Sequence, residues 1–209
     1  MEVAVYNIKG AVTNNMVTLD DSVFAIEPND HAIYLDVKQY LANQRQGTHS
    51  SLEKSVVSGS TKKLHKQKGT GGSRKGSIKN PLYRGGARVF GPQPRDYSFK
   101  LNKKLKKLAR KSALSYKVKD SQLTIVEDFS FETPKTKNFT ELLKNFQMTG
   151  KKVLLVVDKV ENNILLSARN LKRVKIVSAA DLNTYEILNA TQLIITAGSV
   201  REVEKIHQN

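Results

Sequence analysis

The chain of 209 residues contains no cysteine, which excludes disulfides and cysteine-ligated zinc. Long apolar runs are missing as well. The longest strongly apolar stretch is Val153–Val157, far short of the ~20 residues that a membrane helix needs. The opening MEVAVYNIKG has an acid at position 2 and no extended apolar core, so it does not read as a signal peptide. A cytoplasmic protein with no membrane partner is the expectation. The most telling scarcity is local. Between Arg45 and Lys119 lie 21 of the 35 Lys and Arg residues but only 2 of the 19 Asp and Glu. The remainder carries 14 basic and 17 acidic residues, so the formal charge of +16 belongs to one segment. That asymmetry favours a nucleic-acid partner over general solubility.

Within that segment, Lys62 to Lys111 holds 17 cations against the single acid Asp96, and eight of the 12 glycines fall between Gly59 and Gly91. Like charges repel and apolar residues are few, so the stretch has no means of packing around a core of its own. Leu64, Ile78, Leu82, Tyr83, Val89, Phe90, Tyr97 and Phe99 are interleaved with the charge. Cations, flat stacking groups and glycines in alternation suit RNA, where phosphates are neutralised and exposed bases are stacked upon. The glycines of Gly69–Gly76 read either as a flexible linker or as points of close backbone approach to a polyanion. A linker has no use for Lys66, Lys68, Arg74, Lys75 and Lys79 in and around it. The residues assigned to RNA are Arg45, Lys62, Lys63, Lys66, Lys68, Arg74, Lys75, Lys79, Tyr83, Arg84, Arg88, Phe90 and Arg95, together with Lys103, Lys104, Lys106, Lys107 and Arg110 on the following helix. Arginine adds bidentate phosphate contacts and stacking to the point charge of lysine.

The flanking sequence has ordinary patterning. Val3, Val5 and Tyr6, Met16–Leu19 and Val23–Ile26 read as short strands. Asp30 is the expected N-cap of a helix through Ala42, with Ile33, Val37, Tyr40 and Leu41 at helical spacing. A second helix, Asn102 to Tyr116, places Leu101, Leu105, Leu108, Ala109, Ser112 and Ala113 on one stripe and six unrelieved cations elsewhere. Those cations fit phosphate contact better than a solvated face or a membrane-surface helix. Beyond it, the strand-length runs Leu123–Val126, Val153–Val157, Val174–Val177 and Leu193–Thr196 alternate with helical patterns over 134–148, 161–171, 181–190 and 200–207. This is βαβ patterning and predicts a mainly parallel, Rossmann-like α/β sheet covered by helices on both faces. The expected organisation is one α/β domain, residues 1–48 and 100–209, with a long inserted loop at about 49–99.

An α/β sheet invites an enzyme reading. Glu127, Asp128 and Asp158 follow two of the predicted strands and read as helix or turn caps, or as metal ligands or a general base. No dinucleotide fingerprint follows the first strand, and Lys68-Gly-Thr-Gly-Gly72 fails the Walker spacing and lacks a preceding strand. The histidines at 31, 49, 65 and 207 are scattered, and His31 reads as a first-turn helix residue. No catalytic residue, metal site or cofactor is expected.

Several runs in order resemble one family. They are Arg45-Gln-Gly-Thr48, Thr61-Lys-Lys-x-x-Lys-Gln-Lys-Gly-Thr-Gly71, Arg74, Gly-Ser-Ile-Lys79, Pro81, Gly85-Gly86, Phe90-Gly-Pro-x-Pro-Arg-Asp96, Asn102-Lys-Lys104, Pro134-Lys-Thr-Lys137 and Ala168-Arg-Asn-Leu171. Together they closely resemble the bacterial large-subunit ribosomal protein L four family. The resemblance implies a structural ribosomal protein with an α/β globule and a loop that penetrates 23S rRNA. It implies binding early in 50S assembly and a loop tip, Lys66, Gln67, Lys68, Gly69, Thr70 and Gly71, that lines the polypeptide exit tunnel. Implied neighbours are the tunnel-lining L twenty-two family and the nascent peptide, with the protein a monomer within the ribosome. His65 stands where relatives often carry an aromatic residue, and Leu64 where they carry proline. An RNA- or DNA-binding regulator, including a repressor of its own messenger RNA, is the alternative.

Overall fold

The computed structural model describes residues 1–208, with side chains through Ile206. They form two compact units, one of Met1–Leu41 with Lys100 onward and one of Ala42–Phe99.

The first unit is built on a six-stranded sheet. Its elements are β1 Glu2–Tyr6, β2 Val12–Thr18, α1 Asp21–Phe24, α2 Asp30–Asn43, α3 Lys103–Lys119, β3 Leu123–Val126, α4 Thr136–Asn145, β4 Val153–Val157, α5 Asn162–Ala168, β5 Val174–Ser178, α6 Thr184–Asn189, β6 Gln192–Thr196 and α7 Ala197–Gln208. Strand order is β2-β1-β3-β6-β4-β5. Among the described residues only the β1–β2 hairpin is antiparallel; β1–β3, β3–β6, β6–β4 and β4–β5 pair in parallel. The class is therefore the α/β arrangement expected from the alternating pattern.

The period-two rule of strands sorts the sheet's side chains into two cores. Leu154 and Val156 of β4, with Ile125, Leu193 and Ile195, face one cluster that includes Phe24, Leu114 and Val203. Val153, Leu155 and Val157, with Val126 and Ile194, face another that includes Phe139, Leu142 and Ile164. All five β4 residues are buried, which is why the sequence shows a continuous apolar run there rather than alternation.

Two local expectations are corrected. Val23–Ile26 is not a strand: Val23 and Phe24 lie in α1, both buried in the same core. Asp20 dictates this. Its carboxylate accepts from the Ser22 amide at 2.8 Å and its carbonyl from the Val23 and Phe24 amides at 3.0 Å each, closing a helical turn. Asn29 rather than Asp30 caps α2, accepting from the Ala32 amide at 2.9 Å. Asp30 instead accepts from the Tyr116 hydroxyl of α3 at 2.7 Å. The buried face of α2 is also rotated from the apolar stripe, covering Ala32, Ile33, Asp36 and Gln39 while Leu41 is exposed. Asp36 is tolerated there because Thr184 donates its hydroxyl to it at 2.5 Å. The helices over 134–148, 161–171 and 181–190 are shorter than their patterns, running 136–145, 162–168 and 184–189.

Candidate nucleic-acid interface

Residues 45–102 contain no helix or strand. Among the hydrophobic residues of Ala42–Phe99 only Ala87 is buried. The unit holds its path by backbone straps instead. Gly47 O accepts from the Arg95 amide at 3.3 Å, Pro92 O from Ser51 at 2.9 Å, Leu52 O from Arg88 at 3.0 Å, Lys79 O from Ala87 at 3.0 Å and Gly76 O from Leu64 at 3.1 Å. Gly47 has φ +65°, and a Cβ there would lie 2.0 Å from the Arg95 carbonyl oxygen, so the first strap requires glycine.

At the base, Tyr97 is the organising side chain. The Arg45 and Arg95 guanidiniums lie 3.7 and 4.4 Å from its ring centroid, and its hydroxyl is 2.7 Å from His49 Nε2. Stacking uses the faces of the two guanidiniums and leaves their edge N–H groups for anions. Asp96, which follows Arg95 in the chain, accepts from the Ser98 amide and hydroxyl, each at 2.8 Å. Those hydrogen bonds, the amide first, hold its carboxyl below the usual carboxylate range. Sequence reasoning missed His49 and the structural use of Tyr97, because His49 and Arg45 lie about fifty positions from it in sequence.

The predicted tip, Lys66 to Gly71, is exposed at every position. Gly69 and Gly71 take φ +84° and +67° with open space around them. Lys62, Lys63, Lys66, Lys68, Arg74, Arg84, Arg88 and Arg95 are all exposed, while Lys75, Lys79 and Tyr83 are half-buried. Among the described residues no Lys or Arg of this unit is in an ion pair; Lys63 donates to Gln67 Oε1. Phe90 is completely exposed and Leu82 is 90% exposed. Apolar groups so displayed, beside unpaired cations, form a surface that is unfavourable in water alone.

The first unit has a cationic element of its own, α3. Lys103 and Lys104 are exposed on its first turn, and Lys106, Lys107 and Arg110 are half-buried. No acid occupies that turn. Cations at a helix N-terminus oppose the macrodipole, each by about 0.3–1 kcal/mol, and a bound anion reverses that term. The helix is anchored farther on, by buried Ala109, Ala113 and Leu114 and by Ser112, whose hydroxyl accepts from the Asn29 amide at 3.1 Å. Lys117 is buried and structural. It donates to Ala190 O and Gln122 Oε1, both at 2.7 Å, and burial pushes its pKa down.

The acids considered for catalysis have other places. Asp128 accepts from the Gly198 amide with both carboxylate oxygens, each at 3.1 Å, and so caps α7. Asp158 is exposed. Among the described residues no group of three or more His, Asp or Glu is arranged to hold a metal, and no helix is long and apolar enough to cross a membrane. The His207 side chain lies outside the described residues.

Fold and surface thus define a class: an α/β body in one chain with a long basic segment that has almost no core. The chain belongs to the ribosomal protein L4/L1 family, whose model matches residues 17–206. It is 60% identical over 205 residues to the large ribosomal subunit protein uL4 of Parabacteroides distasonis, covering 98% of each chain. Identity to the proteins of the same name from Phocaeicola vulgatus and Christiangramia forsetii is 59% over 206 residues and 58% over 204. These cover 99% and 98% of each chain respectively. Membership makes the chain a structural constituent of the ribosome, located with it in the cytoplasm, and not an enzyme.

Proposed function

We propose that the 42–99 unit is an RNA clamp for 23S rRNA that engages early in 50S assembly, and that the cations of α3 bind the same RNA independently. The tip at Lys66, Gln67, Lys68, Gly69, Thr70 and Gly71 is assigned to the wall of the polypeptide exit tunnel. There its neighbours are the nascent peptide and the L twenty-two protein, and the chain acts as a single copy. One observation carries the reading. A 42–99 unit in which no cation is ion-paired and one hydrophobic side chain is buried has its missing partner in a polyanion. Binding is driven by phosphate neutralisation and counterion release.

The deciding experiment removes Thr61–Arg95. The shortened chain is expected to keep a folded body and to be lost from mature large subunits. Normal incorporation overturns the clamp. Neutralising 6–10 phosphates also predicts a roughly 10³–10⁵-fold loss of affinity for large-subunit RNA between 50 and 200 mM salt. Equal competition by duplex DNA would favour a regulatory DNA-binding role instead.

A further inference from the structure

The 42–99 unit contains a groove of about 480 Å³ whose apolar walls come from Pro81, Val89 and Phe90. Arg88 lies on its lining, and so do Glu53 and Gln93, joined by a 3.2 Å hydrogen bond from Gln93 Nε2 to Glu53 Oε1. The groove is built from distant segments. The Arg88 amide donates to Leu52 O and the Ser51 amide to Pro92 O, which sets residues 51–53 against 88–93. Close packing at Gly91 maintains that seam, since a Cβ there would lie 2.4 Å from Ser51 Cβ. Phe90 adopts φ +51°, a left-handed conformation that costs an aromatic residue free energy, and its ring is wholly exposed.

Glu53 is the informative residue. Only two acids lie between Arg45 and Lys119, and Asp96 is committed to the Ser98 turn. A carboxylate in a phosphate-binding surface is repelled by that partner unless it meets a donor. RNA has such donors on its base edges and at its ribose 2′-hydroxyls, and only a base edge offers two side by side. Guanine alone among the four bases presents two adjacent N–H donors on its Watson–Crick edge, the pair that one carboxylate accepts together.

We infer that this groove is a nucleotide pocket that receives one unpaired guanosine of the bound RNA. Phe90 stacks on the base, Glu53 accepts from its N1–H and N2–H, Gln93 orients Glu53, and Arg88 pairs with the adjoining phosphate. The inference rests on the RNA-clamp reading and adds base recognition to it.

The test uses the full-length chain and large-subunit ribosomal RNA, with filter binding and kethoxal probing of unpaired guanines. The wild-type chain is expected to protect one kethoxal-reactive guanine, which Phe90→Ala and Glu53→Gln each re-expose. Phe90→Ala should weaken binding about tenfold, from the stacking of one base on an aromatic ring, with the salt slope unchanged. Arg88→Ala should instead reduce that slope by about 1. Phe90→Tyr should restore protection and Phe90→Leu should not, which separates base stacking from apolar packing against a protein. Protection unaltered in both Phe90→Ala and Glu53→Gln, alongside normal salt-dependent binding, overturns the pocket while leaving the clamp intact. Rescue by Phe90→Leu overturns the stacking role. Failure of the wild-type chain to bind the RNA overturns the clamp itself.

Discussion

Replacing Tyr97 with leucine tests whether the base of the 42–99 unit is ordered by its own side chains. Two guanidiniums, 3.7 and 4.4 Å from the ring centroid, lose their π face. Such contacts contribute about 0.5–1 kcal/mol each at exposed positions. The hydrogen bond to His49 disappears too, worth roughly 0.5–1.5 kcal/mol net. The sum is about 2 kcal/mol after allowance for solvent around the arginines, a factor of roughly 30 in a local opening equilibrium. Hydrogen exchange of the Arg95 amide, which donates to Gly47 O, reads that equilibrium in the RNA-free protein. Tyr97→Leu should accelerate exchange there by about 30-fold and leave the β4 amides unchanged. Tyr97→Phe keeps both arginine contacts and should lose only the hydroxyl's share, about fivefold. Equal Arg95 exchange in wild type and Tyr97→Leu would refute the idea that this side chain holds the base.

Phe139 is fully buried beneath the sheet, so Phe139→Ala should cost about 3–5 kcal/mol in urea unfolding and lower Tm on the order of 10 °C. Lys117 gives a pH signature. Its native pKa lies below the ordinary 10.5, so the unfolded chain binds that proton more readily between the two values. The burial penalty is in full force below the native pKa and fades as pH rises towards 10.5, so stability should gain on the Lys117→Met variant over that alkaline window. Parallel stability curves for the two proteins would contradict this. Asp96 runs the other way: its folded pKa is depressed, so its contribution persists above the ordinary carboxylate value of 3.8 and is lost as pH falls through the native one. Ser98 amide protection should fall in that acid range and be independent of pH in Asp96→Ala.

Strands β4 and β6 were legible because they bury both faces and therefore show as apolar runs, and Leu123–Val126 and Val153–Val157 match residue for residue. Val23–Ile26 was misread for the same reason. A short apolar run does not distinguish a strand from a buried helical turn, and the deciding group was the cap Asp20 outside it. In α2 the apolar spacing suggested the wrong face, because buried Asp36 answers to Thr184, 148 positions away. The basic surface was legible from composition, since unpaired charge and a missing core are both additive properties of a segment. Partnerships across it were not. Nothing local marks His49 for Tyr97 or Glu53 for Gln93, pairs separated by 48 and 40 positions.

On the proposed clamp reading, the distribution of these partnerships sets what RNA binding has to supply. Ordering a residue costs about 1–2 kcal/mol of backbone entropy, so fixing a long coil from nothing would consume tens of kcal/mol. In the 42–99 unit much of that cost is met internally. The straps at Gly47–Arg95, Ser51–Pro92, Leu52–Arg88 and Lys79–Ala87 place the segments 47–52 and 79–95 against one another. Past the Leu64–Gly76 strap, residues 65–75 have no backbone partner across the chain among the described residues, and a Cβ at Gly69 or Gly71 would meet nothing within 4 Å beyond its chain neighbours. The entropic cost therefore concentrates in the eleven residues that also carry Lys66, Lys68, Arg74 and Lys75. Order in the base comes from the protein's own hydrogen bonds; on the proposed clamp reading, order in the tip comes from phosphate. A substitution that loosens the base consequently raises the cost of every contact made farther along, even when it removes no cation.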